Sequence, residues 1–294
     1  MAKLLSGKEV AAAMNARLLA RSEALYARGI APKLAILRCG ENPSDLSYER
    51  GAIARAALTG VQVGTIVLPE DVTKDALIDR IHALNADASV HGVLLFRPLP
   101  KALRGSEREI CNALDPAKDV DAMTDLSMAG VFESREDLGF PPCTPSACME
   151  ILDHYRIDLT GRRAVVIGRS LVVGRPLAMM LMARNATVTL CHTRTVNVAE
   201  EARRADILVT SAGALGSLTR EYVRPGQVVI DVSINWDSKK PNGRGGLGAI
   251  AGDAAFDEVE RIVDAITPVP GGVGAVTTSV LMRHVIEAAE RLGR

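Results

Sequence analysis

The chain has 294 residues, with 35 basic and 35 acidic side chains, 48% hydrophobic residues and 3% aromatics. That length fits one large domain or two ordinary ones, and burying roughly three quarters of the unfolded surface holds such a chain without disulfide or metal staples. A formal charge of zero argues against a nucleic-acid surface, which needs a basic excess, and no apolar run reaches the roughly 18 residues of a membrane span. The opening MAKLLSGKEVAAAMNARLLARSEAL is amphipathic at helical spacing and lacks the apolar block of a signal peptide. The five cysteines (Cys39, Cys111, Cys143, Cys148, Cys191) are odd in number and irregularly spaced, as expected of reduced thiols in a cytoplasmic protein. Cys143 and Cys148 have no second pair, and the histidines form no HExxH motif, so no metal is expected. All the histidines except His192 read as surface imidazoles.

In chain order the pattern alternates between strand and helix. KLAILR (33–38) reads as a strand, Tyr48–Leu58 as a helix, Val61–Leu68 as a strand and Lys74–Asn85 as a helix. HGVLLF (91–96) is a continuous apolar run of the kind found in buried parallel strands. It stops at Pro98-Leu99-Pro100. Residues 115–146, rich in proline and glycine, read as a long functional loop leading into a helix near Thr144. A second alternating set follows: a strand at 164–167, a helix at 176–184, a strand at 187–191, a helix at 198–204, and strands at 207–210 and 228–232. Residues 237–247 read as a hairpin or exposed loop, 267–274 as a Pro/Gly turn, and 275–292 as a closing helix. The fold class is α/β, with a mostly parallel sheet and helices on both faces.

AVVIGRSLVVGRP (164–176) carries the strongest local signal. A buried strand runs into Gly168, Arg169 and Ser170, then Gly174, with Pro176 at a helix start. Glycines allow a tight turn and close backbone approach to a pyrophosphate placed at a helix N-terminus. The spacing is GxSxxxG, not GxGxxG, so the surrounding strand–turn–helix–strand order carries much of the argument. About 20 residues past the first glycine, an NAD site places a carboxylate on the ribose 2′-hydroxyl. Here the next strand ends in Cys191-His192-Thr193-Arg194-Thr195, without a carboxylate. Arg194, with Arg169 or Arg175, suits a 2′-phosphate instead. NADP is therefore expected, with NAD as the alternative.

Over nearly its whole length the sequence resembles the bifunctional methylenetetrahydrofolate dehydrogenase/methenyltetrahydrofolate cyclohydrolases. The resemblance rests on GENPSDLSY (40–48), RPLP (97–100), PAKDVDA (116–122), PCTPSA (142–147), GRSLVVGRP (168–176), TVTLCHTRT (187–195), ADILVTSAG (205–213), VVIDVSIN (228–235), GDAAF (252–256) and ITPVPGGVG (266–274). It implies an N-terminal folate-side domain over 1–143, joined by a returning helix over 275–294, and a Rossmann domain over 144–274. It also implies a homodimer, tetrahydrofolate one-carbon derivatives as substrates, and substrate contacts by Tyr48, Asp121, Pro270, Gly271 and Gly272. Cofactor contacts fall on Gly168, Arg169, Ser170, Gly174, His192, Thr193, Arg194, Ala212, Gly213 and Ile234.

The departures are informative. The family's YxxxK motif carries the cyclohydrolase lysine, and Tyr48 matches its tyrosine, but the lysine position is Ala52. The glutamine that hydrogen-bonds that lysine is Phe96. Asp45 stands for a serine, and Ala122, Ala147 and Ser233 stand for glycines; each glycine change reads as drift at a position that tolerates a Cβ. Hydride transfer from the folate's one-carbon bridge requires no proton removal, and alignment of the two rings carries it. Hydrolysis of the methenyl product requires proton transfer by a positioned group. Neither Ala52 nor Phe96 supplies one. Asp45 could serve a water only as a substitute, and Tyr48 is a weak base at neutral pH. The expectation is an NADP-dependent dehydrogenase lacking efficient cyclohydrolase activity. The competing readings are an oxidoreductase for a related pterin or other substrate, and a non-catalytic folate- or nucleotide-binding subunit.

Overall fold

The computed structural model describes residues 1–242 and 246–293. The strands are β1 (Lys3–Leu4), β2 (Lys33–Cys39), β3 (Gln62–Leu68), β4 (Gly92–Leu95), β5 (Arg163–Ile167), β6 (Thr187–Cys191), β7 (Ile207–Thr210), β8 (Val228–Asp231), β9 (Asn235–Pro241), β10 (Leu247–Ala251) and β11 (Ala265–Ile266). The helices are α1 (Gly7–Tyr26), α2 (Pro43–Thr59), α3 (Lys74–Ala86), α4 (Glu107–Asn112), α5 (Asp125–Glu133), α6 (Cys143–His154), α7 (Gly174–Ala183), α8 (Val198–Arg204), α9 (Phe256–Val259) and α10 (Thr277–Leu292). The chain forms two compact units: Ala12–Cys143 with Thr278–Arg294, and Met1–Ala11 with Thr144–Thr277. The first eleven residues, expected in the folate-side domain, group with the other unit instead, where β1 pairs in parallel with β11 through Lys3–Ala265 and Leu4–Ile266.

In the unit built on Ala12–Cys143, a parallel sheet runs in the order β3-β2-β4. Strand β4 is buried along its whole length, which is why its sequence is continuously apolar rather than alternating. Leu37, Leu77, Ile81, Leu95, Leu99 and Ile110 form the core against one face. Helix α2 begins five residues earlier than its apolar pattern suggests. Asn42 caps it by accepting from Ser44 N–H, and Pro43 occupies the first turn, where its missing N–H is harmless. The stretch 115–146, read as a loop, contains α5: Thr124 caps it by accepting from Ser127 N–H, and Ser134 ends it in the left-handed region. Gly92 is needed because a Cβ there would lie 2.6 Å from Val120 Cγ1 and 3.0 Å from Val285 Cγ2. The close approach brings the 118–121 segment onto β4, with a parallel bridge between Val93 and Asp119.

The other unit holds a parallel sheet in the order β1-β11-β8-β7-β5-β6. The chain runs from β5 outward to β6, then crosses back so that β7 lies on the other side of β5. That reversal is the topological switch point at which open α/β sheets bind ligands, beyond the carboxyl ends of the strands. Strands β9 and β10 form a separate antiparallel hairpin. This is where a hairpin or exposed loop was read at 237–247, and residues 243–245 of that stretch lie outside the described residues.

Candidate functional site

In the unit containing β2-β4, Tyr48 on α2 meets Phe96, just past β4, edge to face, with ring centroids 5.8 Å apart at 87°. Burial pushes the Tyr48 phenol well above its usual range, and the neighbouring Cys143 and Asp121 act in the same direction. It is therefore a neutral hydrogen-bonding group, not a base. Asp121 Oδ1 accepts from the backbone N–H of Cys143 at 2.9 Å. Burial raises the pKa of Asp121, opposed by the hydrogen bonds from Cys143 and by the nearby Arg97 charge. Tyr48, Phe96, Asp121 and Arg97 thus share one neighbourhood.

The residues before Asp121 have structural roles. Lys118 is buried and donates through Nζ to the carbonyls of Leu84, Asn85 and Asp87 at 3.0, 2.8 and 2.7 Å. It closes the C-terminal end of α3, where a cation is favourable. Asp119 accepts from Met123 and Thr124 N–H at 2.9 and 2.8 Å. The next position, Ala122, has φ 50°, a conformation that favours glycine. The alanine is therefore a strained replacement, not drift at a position that tolerates a Cβ.

His284 on α10, read as a surface imidazole, is buried. Its Nδ1 lies 2.9 Å from Val120 O and its Nε2 lies 3.3 Å from Arg283 Nη2. Because a guanidinium can only donate, Nε2 accepts and Nδ1–H donates to Val120 O. Burial, joined by the Arg283 charge, lowers the His284 pKa to about 3. The Cys143 thiol donates to the same Val120 carbonyl at 3.4 Å. Sequence spacing gave no signal for His284 or Cys143, since the contacts span 164 and 23 positions. His91 is also buried.

Ala52 lies one turn past Tyr48 and is fully buried. Arg55, further along α2, donates through Nε to Thr278 Oγ1 at 3.2 Å. Beside Tyr48, Glu49 pairs with the buried Arg38 at 2.9 Å and accepts from Thr65 Oγ1 at 3.0 Å. Burial raises the Asp45 carboxyl pKa, partly offset by Arg38.

In the other unit, a cavity of about 380 Å³ opens beyond the carboxyl ends of β5, β6 and β7. Gly168, Arg169, Ser170, His192, Thr193 and Ala212 line it, with Ser211 and Ala214. Gly168 has φ +121°, and a Cβ there would lie 2.5 Å from the carbonyl oxygen of Ser211. Ser170 Oγ accepts from Val173 and Gly174 N–H at 3.0 and 3.4 Å, tying the turn to the start of α7. Gly174 does not line the cavity. It packs the helix on the turn, because a Cβ would fall 2.0 Å from Gly168 O. Arg194 is exposed beside the cavity, and its N–H donates to His192 Nδ1 at 3.1 Å. Gly213 and Ile234 are likewise absent from the lining, and Ile234 is exposed.

Pro270, Gly271 and Gly272 belong to this same unit. The turn is held by Gly7 N–H donating to Gly271 O at 2.8 Å, and a Cβ on Gly7 would fall 1.9 Å from Gly272 O. Asp253, which no sequence expectation marked, is fully buried and lies behind the 211–214 loop. Among the described residues, no group of three or more His, Cys, Asp or Glu side chains is placed to hold a metal ion. No described helix is long and apolar enough to cross a membrane.

Two family models match the chain. The catalytic domain of tetrahydrofolate dehydrogenase/cyclohydrolase covers residues 5–121, and the NAD(P)-binding domain of the same family covers 142–292. The chain is 48% identical over 292 residues to the bifunctional protein FolD of Carboxydothermus hydrogenoformans, covering 99% of each. Among solved structures, the bifunctional FolD of Campylobacter jejuni superposes with a TM-score of 0.92 at 35% identity, covering 99% of each chain. The Trypanosoma brucei enzyme complexed with NADP cofactor and inhibitor gives 0.91 at 31% identity, covering 100% of this chain and 99% of that one. With both models matched in order and relatives aligned along nearly the full length, the chain belongs to the tetrahydrofolate dehydrogenase/cyclohydrolase family.

Proposed function

We propose that this chain oxidises 5,10-methylenetetrahydrofolate to 5,10-methenyltetrahydrofolate with NADP, and that the hydrolysis of the methenyl product is slow or absent. The carrying observation is the pairing of Ala52 with Phe96. A fully buried methyl and a phenyl ring packed on Tyr48 stand where hydrolysis needs a lysine and its hydrogen-bond partner. The dehydrogenase step needs neither, because bound NADP supplies the hydride acceptor and the protein supplies alignment.

In this reading Asp121 holds the N–H donors of the pterin edge, which a carboxylate matches. Tyr48 keeps its proton and forms one wall of the pterin site. The family resemblance also assigns folate contacts to Pro270, Gly271 and Gly272. On the cofactor side, the residues fit a dinucleotide. Gly168 gives a turn that only glycine accommodates, Ser170 ties that turn to the start of the helix whose N-terminus faces a pyrophosphate, and Gly174 lets that helix close on the turn. His192, Thr193, Ala212, Gly213 and Ile234 complete the cofactor contacts carried over from the family. Exposed Arg169 and Arg194, with no carboxylate at the end of β6, suit a 2′-phosphate and favour NADP over NAD. We further infer a homodimer working in the cytoplasm. Family resemblance supports the dimer, and five free cysteines fit a reducing compartment.

Steady-state turnover of methylenetetrahydrofolate tests this reading. Asp121→Asn keeps the shape and loses the charge-assisted contact. It is expected to raise the folate KM by roughly 10- to 100-fold, the worth of a hydrogen bond to a charged group. An unchanged folate KM would remove Asp121 from the substrate site.

A further inference from the structure

We propose that Ser233 is a positioning residue for the dinucleotide cavity: its hydroxyl joins the buried Asp253 carboxylate in holding the 211–214 loop in the shape that receives the cofactor. The inference rests on the dinucleotide reading of that cavity and deepens it.

The loop is built around an anion that the protein itself supplies. Asp253 Oδ2 accepts from Ala212 N–H at 2.7 Å, Gly213 N–H at 3.3 Å and Thr210 Oγ1 at 2.9 Å. Its Oδ1 accepts from Ala214 N–H at 2.8 Å and Asn235 Nδ2 at 3.1 Å. Three successive backbone N–H groups, with Gly213 at φ +66°, converge on one carboxylate. Such a concavity ordinarily collects an external anion; here Asp253 fills it, so the loop is shaped before any ligand arrives.

Ser233 completes that arrangement. Its hydroxyl donates to Asp253 Oδ2 at 2.7 Å, a length expected of a bond to an ionised acceptor. The same oxygen accepts from Gly213 N–H at 3.2 Å, so Gly213 N–H is shared between Ser233 and Asp253. The family glycine at this position has no group for either bond. What reads in the sequence as harmless drift is therefore an added strut between β8 and the loop. On the loop's other side, Ser211 packs against Gly168, with its carbonyl oxygen 2.5 Å from where a Cβ would sit. A shift of the loop would therefore reach the glycine turn directly. Ser211, Ala212 and Ala214 all line the cavity, so loosening the strut changes the wall that the cofactor meets.

The test is calorimetric binding of NADP to the full chain and to Ser233→Ala and Ser233→Gly, without folate, alongside steady-state kinetics and amide hydrogen exchange. Both variants are expected to bind NADP about tenfold more weakly and to raise its KM by a similar factor. At saturating NADP, kcat should fall less than twofold, and amides 212–214 should exchange faster. A role limited to general stability would lower the melting temperature and leave the NADP Kd and KM in place. Equal NADP affinity in wild type and both variants overturns the inference alone. Failure of the wild-type chain to bind NADP or NAD overturns the dinucleotide reading and the inference with it. Asp253→Asn provides a second test: it exchanges acceptors for donors on the same centre, and should weaken NADP binding more than either serine variant. An Asp253→Asn chain that folds and binds NADP as tightly as wild type contradicts the scheme.

Discussion

Replacing His284 with glutamine should change how the protein's stability responds to acid, in a direction and size that the structure sets. His284 is fully buried on α10, and its pKa falls to about 3 from an ordinary 6.5, because burial and the Arg283 and Arg291 charges disfavour the protonated ring. Between those values the unfolded chain binds a proton that the folded chain refuses, so this group costs stability as pH falls through the window. The slope approaches ~1.4 kcal/mol per pH unit. Asp231 acts with the opposite sign. Burial raises its pKa to about 6 from 3.8, so below pH 6 the folded chain holds a proton that the unfolded chain releases, and stability gains at a similar slope until pH approaches 3.8. From pH 6 to 4 the two contributions largely offset each other. His284→Gln keeps a donor for Val120 O and removes the titration. The difference in unfolding free energy, wild type minus variant, should therefore become more negative by about 2 to 3 kcal/mol between pH 6 and pH 4. Urea titrations followed by far-ultraviolet circular dichroism at half-unit pH steps would measure it. A difference that stays constant within about 0.5 kcal/mol over that range, well below the linkage slope, would refute the buried neutral imidazole.

Two further substitutions probe the folate-side unit. Ala52→Lys combined with Phe96→Gln should restore a proton-transfer group with its partner, raising methenyl-folate hydrolysis by about 10²-fold, the lower end of general acid–base catalysis; decay at the wild-type rate would count against the two departures as the reason for slow hydrolysis. Ala122→Gly relieves a left-handed alanine at φ 50° and should raise stability by about 0.5 to 1 kcal/mol, read as a higher urea midpoint; a lower midpoint would contradict the strain.

Much of the fold was legible because parallel α/β architecture leaves local marks. The buried strand β4 reads as an unbroken apolar run, and the Gly168 turn shows itself because a backbone at φ +121° with no room for a Cβ leaves glycine as the residue that fits. What escaped was non-local or compositionally masked. Strand β1 has two residues and exists through its pairing with β11, some 260 positions away. Helix α5 lies in a stretch whose prolines and glycines outweigh its short apolar pattern, and its Thr124 cap was the missed signal. The candidate site divides the same way. Tyr48, Asp121 and the glycine turn sit in motifs, whereas Asp253 and Ser233 act through bonds spanning 18 to 43 positions. A serine in place of a glycine carries no mark in the sequence of the carboxylate it will meet. His284 was misread for a related reason: the surrounding helix presents its charged residues in sequence, and burial comes from the neighbours it packs against.

The most direct measurement follows the purified protein with 5,10-methylenetetrahydrofolate and NADP, recording NADPH and methenyl-folate together at separate wavelengths, with NAD as a parallel reaction. NADPH formation should be matched by methenyl-folate that accumulates and then decays no faster than in buffer, with NADP preferred to NAD. Methenyl-folate decaying as rapidly as it forms would contradict the claim that Ala52 and Phe96 have removed the hydrolytic step, and no reduction of either dinucleotide would contradict the dehydrogenase itself.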